Sequence, residues 1–344
     1  MNQTSYSATT AMPPEPAYTR LPAEGEDGLF SQSWFVVCRS EDVGPGQIVG
    51  RPFLDGRVVV ARDESGAVQV LSAYCPHMGA SLEAGDVVEG QLRCAFHHWR
   101  YDLNGFCKAT AIGDPAPGVA RLFKFPTVER WGLIMAFNGV EPLWELPDFR
   151  HVGTGRVYRD DELYITTTEA NHAPVDPWTV CTNTLDIQHI KTLHGLSFTR
   201  SDEEVITGMR WTPNDVTFEL QAQHWEDRGA HFGLGIHGTT FFYQSLVLDG
   251  NWFGLVSPMA MPRPGYTIPY FVLATSLEDG MEAAVAANEA AVKLELDFYA
   301  QDRSVLESIR FRAGTLTRSD KALAQFLTHM RAYPRAHPSA RFIV

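Results

Sequence analysis

Two short segments of the chain carry closely spaced Cys and His residues. Cys75 and His77 lie in CPHMGASL, and Cys94 and His97 lie in CAFHHWRYDLNG. Together they read C-x-H, sixteen residues, C-x-x-H. Two thiolates and two imidazoles can hold one zinc ion tetrahedrally. They can also hold a [2Fe–2S] cluster, with both cysteines on one iron and both histidines on the other. The spacing favours the cluster. Each arm brings one Cys and one His close together, so each loop delivers one ligand to each iron, and C-x-H is an unusual opening for a zinc knuckle. Gly79 permits a tight loop beneath the cluster and Pro76 stiffens it. Neutral imidazole in place of thiolate lets such a cluster accept an electron at roughly −150 to +300 mV, against about −400 mV for all-cysteine plant-type clusters. A centre of this kind stores and passes electrons and does no chemistry on a substrate by itself. The C-x-x-H spacing selects His97 over its neighbour His98. His98 is expected to face away, because adjacent residues in extended backbone point to opposite sides.

A second set lies in CTNTLDIQHIKTLHG, residues 181 to 195. Asn183, Asp186 and His189 are spaced three apart and form one slowly drifting stripe on a helix. His194 follows His189 by five, which is about 140° around an ideal helix. Both histidines reach one ion only if the helix is distorted or ends between them, and Gly195 is a natural helix stop. A 2-His-1-carboxylate iron site also needs an acid and leaves coordination positions open. A later helix offers Asp297, Asp302 and Glu307. Asp302 falls on a stripe with the apolar residues Phe298, Val305 and Ile309. A carboxylate buried there is costly unless it is paired or binds a cation, so Asp302 is the ligand candidate. The alternative for this set is a polar helix face that happens to carry two histidines, with Asp302 in a buried salt bridge.

The elements that must position these residues are legible in outline. Residues 31 to 140 read as short strands with turns, including a hairpin around DESG (63 to 66) and a buried strand in RWGLIMAF (130 to 137). Pro and Gly interrupt the pattern between 147 and 157, which marks a domain boundary. A helix is expected over about 177 to 194, strands over about 204 to 276, a long helix from Met281 to Phe311 and a shorter one from Asp320 to Ala332. The fold class is α+β. The expected division is a flexible tail at 1 to 29, an antiparallel β domain at 30 to 148 and a catalytic domain at 149 to 344.

Composition narrows the function classes. The chain has 344 residues, 44% hydrophobic, with a net charge of −13, which argues against a nucleic-acid partner. No apolar run is long enough for a membrane span. The polar, proline-rich N-terminus lacks the pattern of a signal peptide. The five cysteines are odd in number and widely spread, a poor disulfide framework that fits a reducing, cytoplasmic setting. Cys38 is expected to pack as a small hydrophobe, and neither Cys107 nor Cys181 has a metal-like spacing.

With both motifs in this order, the sequence resembles the oxygenase component, or α subunit, of the Rieske non-haem iron oxygenases, over about residues 30 to 315. CPHMGASL and CAFHHWRYDLNG match the two Rieske boxes. Asn183-x-x-Asp186-x-x-His189-x4-His194 matches the iron-site box, and QDRSVLE (301 to 307) looks like the segment carrying the acidic ligand. The resemblance implies a Rieske β domain followed by a helix-grip catalytic domain. It assigns Cys75, His77, Cys94 and His97 to the cluster, and His189, His194 and Asp302 to mononuclear iron(II). Asp186 is then the bridge towards His97 of a neighbouring subunit in a homotrimeric ring. The implied chemistry takes electrons from a separate NADH- or NADPH-dependent reductase or ferredoxin. O2 serves as co-substrate to hydroxylate, N-oxidise, desaturate or dealkylate a small molecule. In look the chain is nearest the single-subunit types, the aminopyrrolnitrin oxygenase and 3-ketosteroid 9α-hydroxylase or cholesterol 7-desaturase groups. An apolar, aromatic or polycyclic substrate is expected, with Phe241, Phe242, Trp252 and Phe253 as pocket candidates. His224, His231 and His237 are expected to be ordinary surface or core histidines. The competing class is a Rieske electron carrier fused to a ligand-binding domain, which has no need of the second set of residues.

Overall fold

The computed structural model describes residues 21–224, 229–309 and 315–344; the side chains of 222–224 are left aside. The expected tail at 1–20 and the side chain of His224 therefore lie outside the described residues, and the helix expected to run from Met281 to Phe311 ends at Leu306. Residues 21–29, read from sequence as tail, are tied to the fold through Glu24, while Ala23 and residues 27–29 are exposed. The Glu24 side chain is buried and accepts hydrogen bonds from the Ser31 backbone and hydroxyl.

The N-terminal half is built from short antiparallel strands. Trp34–Arg39, Leu133–Phe137 and Thr127–Arg130 form one sheet, and Gln47–Phe53, Gly56–Arg62 and Val68–Ser72 another. The hairpin at DESG forms because the Asp63 carboxylate accepts from the backbone of Ser65 and Ala67, while Gly66 takes the left-handed φ of 94° that closes the turn. Leu133–Phe137 is buried along its whole length, as its unbroken apolar sequence predicts. A small sheet of Asp86–Val88, Gln91–Arg93, Arg100–Tyr101 and Cys107–Ala109 carries the two Cys/His loops at its edge.

The second half is one large antiparallel sheet. Its strand order is Leu163–Glu169, Tyr266–Ser276, Asn251–Ser257, Phe241–Leu248, Ala230–His237, Asp215–His224 and Ser197–Phe198. Helix α1 (Pro177–Leu185), α2 (Ile187–Thr192), α4 (Met281–Leu306) and α5 (Lys321–Ala332) lie against it, and α3 (Asp202–Gly208) lies in the chain between Ser197–Phe198 and Asp215–His224. Residues 204 to 208 are therefore helical rather than the start of the strand region: Ser201 caps α3 and pairs reciprocally with Glu204. α4 is locked onto the sheet by Asn288, whose amide donates to the Leu273 carbonyl, and by Thr275, whose hydroxyl donates to the Ala284 carbonyl. Strand alternation divides the side chains of the sheet. Phe232, Leu234, Leu246 and Leu255 face the helices, while Phe241, Trp252, Val256 and Val272 face the N-terminal half.

Strand pairing and packing run across the linear division at 148/149. Arg335–Ala336 pairs with Phe30–Ser31, and Ile343 packs into the core of the N-terminal half. Gly56 is required there, since a Cβ would come within 2.1 Å of the Ile343 carbonyl oxygen. Among the described residues no helix is long and apolar enough to cross a membrane.

Candidate metal centres and active-site cavity

The two Cys/His loops are conformational twins. In each, the amide of the cysteine donates to the carbonyl five residues on, Cys75 to Ala80 and Cys94 to Trp99. The amide four residues on donates back, Gly79 to Cys75 and His98 to Cys94. The fifth position of each loop takes a left-handed φ, 74° at Gly79 and 55° at His98. His98 therefore occupies the place of Gly79, its side chain is exposed, and it does not join the cluster candidates. His77 and His97 come together instead, with ring centroids 4.7 Å apart, and His77 stacks on Trp99 at 4.3 Å. Cys75 and Cys94 are buried beneath them as free thiols that adjoin each other. Burial holds the Cys75 thiol above its usual range, partly offset by the Tyr101 hydroxyl 3.1 Å from its Sγ. Two buried sulfurs and two imidazoles at the rim fit the donor set that a [2Fe–2S] cluster with split ligands requires. Sequence reasoning missed Tyr101, whose hydroxyl meets the Cys75 sulfur; its only signal was position, seven residues after Cys94 in the next strand.

The second constellation also converges. One ligand atom from each of His189, His194 and Asp302 lies within 4.8 Å of the others. The helix expected over 177 to 194 is broken at Asp186, whose ψ of 85° leaves the helical region. Asn183, Asp186 and His189 thus do not share one helix stripe. The Asp186 carboxylate caps α2 by accepting from the His189 amide at 3.2 Å. α2 ends at Thr192, between the two histidines, and Gly195 turns with φ 68°. That early end swings His194 back towards His189, which an ideal helix forbids.

Asp302 is brought in by α4, on a stripe that differs from the one read in sequence. The buried positions are Ala284, Asn288, Ala291, Glu295, Tyr299 and Leu306, and Asp302 lies between the last two. Val305 is 47% exposed and so is not part of that stripe. Asp297 is exposed and pairs with Lys293, and Glu307 pairs with Arg303.

The orientation of the rings defines the electrostatics. His189 donates through Nδ1 to the Asp186 carbonyl at 2.6 Å, and His194 through Nδ1 to Gln301 Oε1 at 3.1 Å. Both Nε2 lone pairs then face Asp302 Oδ1, at 3.7 and 3.0 Å. That oxygen is buried and has no hydrogen-bond donor. Lone pairs on three converging atoms repel one another unless a proton or a cation sits among them. Burial holds the pKa of His189 below its ordinary value, with Asp302 pulling the other way. At His194 burial also pulls down, but the Asp302 carboxylate outweighs it and the pKa is raised. Two neutral imidazoles and one carboxylate, each imidazole oriented by a hydrogen bond from its far nitrogen, fit a divalent transition metal.

This triad opens on a cavity lined mainly by apolar side chains, among them Leu220, Leu234, Leu255, Met259, Phe271 and Phe298. Asn183 lines it as well. Of the four aromatic pocket candidates, Phe242 lines it and the others do not. Phe241 and Trp252 face the opposite side of the sheet, where Phe241 packs on Trp144 and Trp252 on Tyr158. Phe253 points to the helix side but lies under the N-terminal part of α4. Adjacent strand residues cannot share a face, so the pairs 241/242 and 252/253 could never all line one cavity. Glu295, Gln244 and Ser257 are polar lining residues that sequence reading missed. Glu295 was findable, two turns before Asp302 on the same helix. His231 pairs with Glu219 and His237 with Asp215, away from the triad. Cys38 is buried, and burial pushes its thiol up to about 12.

Comparison with known proteins follows the same division. Residues 33–125 match the model of the Rieske [2Fe-2S] domain. Over 171 residues the chain is 34% identical to cholesterol 7-desaturase nvd 1 of Ciona intestinalis, covering 48% of this chain and 35% of that protein. Over 227 residues it is 30% identical to aminopyrrolnitrin oxygenase PrnD of Pseudomonas fluorescens, covering 62% of this chain and 58% of that protein. The matched part thus spans between about a third and three fifths of these relatives. Among solved structures, dicamba monooxygenase bound to dicamba superposes with a TM-score of 0.64 at 16% identity, covering 88% of this chain and 97% of that one. NdmA of Pseudomonas putida with caffeine gives 0.63 at 20% identity, covering 87% and 89%. These structural likenesses establish a shared fold.

Proposed function

We propose that the chain is the oxygenase component of a Rieske oxygenase system, oxidising an apolar, ring-containing small molecule; its Rieske domain match and its similarity to cholesterol 7-desaturase and aminopyrrolnitrin oxygenase support the reading. The observation that carries the reading is the convergence of two imidazole lone pairs on the orphaned Asp302 oxygen, at the mouth of an apolar cavity. A pure electron carrier has no use for that arrangement. Cys75, His77, Cys94 and His97 would hold the cluster, and His189, His194 and Asp302 the mononuclear iron. When bound, the two centres supply single electrons and a coordination site at which O2 is activated.

The chain's own residues set the conditions for that chemistry. The Asp186 carbonyl fixes the His189 tautomer so that Nε2 stays free, and Gln301 does the same for His194. Leu196, Phe298 and Phe242 keep water from the cavity. Cluster access is on the surface. His77 is exposed, between Met78 at 66% exposure and Phe96 at 60%. An exposed apolar rim around a redox ligand supports contact with another protein surface. We read it as meeting Asp186 of a second copy in a ring of three, and as the face offered to a separate reductase or ferredoxin. A cytoplasmic setting fits the free cysteines.

Asp186→Asn tests the reading. The amide keeps an oxygen to cap α2 and leaves the carbonyl on His189 untouched, so both metals should load as in the wild type. Turnover with a reductase should fall by at least about 100-fold if the charge lies between the centres, since a charged hydrogen bond is lost from the path. Normal turnover removes Asp186 from that role.

A further inference from the structure

Glu295 stands two turns before Asp302 on the buried stripe of α4 and lines the same cavity. Its residue exposure is 5%. Among the described residues its one hydrogen-bond partner is the neutral amide of Gln244, donated from the facing sheet. Close by in the same wall, Ser257 is buried with a hydroxyl that has no partner. Among the described residues no Lys or Arg lines the cavity. Burial pushes the Glu295 carboxyl up to about 7, the expected response of an acid with too little solvation. A packed core would use an apolar residue here, because a carboxyl with a single neutral partner is costly to bury. An anionic group placed at the Glu295 end would meet this carboxyl with no Lys or Arg beside it among the described residues. A purely apolar ring would leave Glu295 and Ser257 unmatched.

We propose that Glu295, held in place by Gln244, is the specificity anchor of the cavity and selects an uncharged ring compound bearing an N–H or O–H donor, to the exclusion of carboxylates. The proposal rests on the oxygenase reading only for what happens at the other end of the ligand. Seven residues of helix correspond to about 10 Å, roughly the length of a two-ring system. The donor therefore lies remote from Asp302, and the atom to be oxidised is at the far end.

Equilibrium dialysis of the full, iron-loaded chain at about pH 8, where the carboxylate form prevails, tests this with four ligands sharing one ring system. The probes are 2-naphthol, 2-naphthylamine, 2-methoxynaphthalene and 2-naphthoate. The naphthol and the naphthylamine should bind at least about tenfold tighter than the methoxy compound, as expected for one hydrogen bond to a charged group, and naphthoate should bind weakest. Glu295→Leu should level the three uncharged probes to within about twofold, through loss of that bond. Glu295→Gln keeps an oxygen for Gln244 and turns an amide donor into the cavity. It should shift preference towards the methoxy compound and naphthoate, which a merely structural role would not do. Naphthoate binding to the wild type as tightly as naphthol, unchanged preferences in both variants, or no binding of any probe overturns the proposal. No turnover is involved, so the oxygenase reading fails separately, if fully loaded protein holds two irons per chain rather than three.

Discussion

Replacing Asp302 by alanine separates a metal ligand from a structural ion pair. Its Oδ1 lies 3.0 Å from His194 Nε2 and 3.7 Å from His189 Nε2, and it is buried without a donor. Removing one partner of a buried pair of opposite charges costs about 3–5 kcal/mol. At about 1.4 kcal/mol per tenfold, Fe(II) affinity should fall by roughly 100- to 3,000-fold. With Fe(II) at about 100 times the wild-type Kd, the wild type gains about 2.7 kcal/mol and the variant less than about 0.5 kcal/mol. For a chain of this size that difference is roughly 3 °C in unfolding temperature. The metal-free forms should behave oppositely. In the metal-free wild type the buried Asp302 Oδ1 has no hydrogen-bond partner, a desolvated acceptor worth about 1–3 kcal/mol, which the variant lacks. Metal-free Asp302→Ala should therefore unfold at the same temperature as the wild type, or higher. The assay is iron analysis after anaerobic desalting, with the cluster absorbance as internal standard, plus thermal unfolding with and without Fe(II). A variant that keeps its third iron, or an equal Fe(II) shift in both proteins, refutes the ligand assignment. A metal-free variant well below the wild type would make Asp302 a structural partner of His194 instead.

Other outcomes follow from the same geometry. Glu295→Gln should be the more stable protein above about pH 7, by about 3 kcal/mol at most. The folded wild type keeps its proton up to about 7, so its advantage is present below the unfolded carboxyl pKa and is lost between about pH 4.5 and about 7. Denaturant titration across that range checks the sign. His97→Ala should abolish the cluster absorbance. His98→Gly should preserve it and stabilise the fold by about 1 kcal/mol, since φ at His98 is 55° and glycine bears that conformation without strain. Tyr101→Phe should lower the reduction potential by about 40 mV, from the loss of about 1 kcal/mol of hydrogen bonding to Cys75 Sγ in a one-electron couple. Spectroelectrochemical titration reads it, and an unchanged potential would show that this hydroxyl does not bond the ligand sulfur.

Much of the candidate chemistry was legible in the sequence because it depends on local spacing. C-x-H and C-x-x-H fix which residues two tight loops can present, and the hairpin at Asp63–Gly66 follows from side-chain-to-backbone bonds four residues apart. Asp302 was legible as a carboxylate that a buried helix face does not tolerate alone. The stripe behind that reading was partly wrong, because Val305 is exposed and the buried face runs through Ala291, Glu295, Tyr299 and Leu306. Only tertiary structure decided the rest. The break at Asp186 depends on its carboxylate capping α2, and the return of His194 depends on the early end of that helix, neither of which periodicity can register. Which aromatic faces the cavity was set by strand register: Phe242 does, while Phe241 and Trp252 face the opposite side. The chain alone determined which residue types could bind metal. Packing between elements more than a hundred residues apart decided which lone pairs meet at Asp302 and which carboxyl, Glu295, is left facing the cavity, because burial and orientation are properties of the assembled fold.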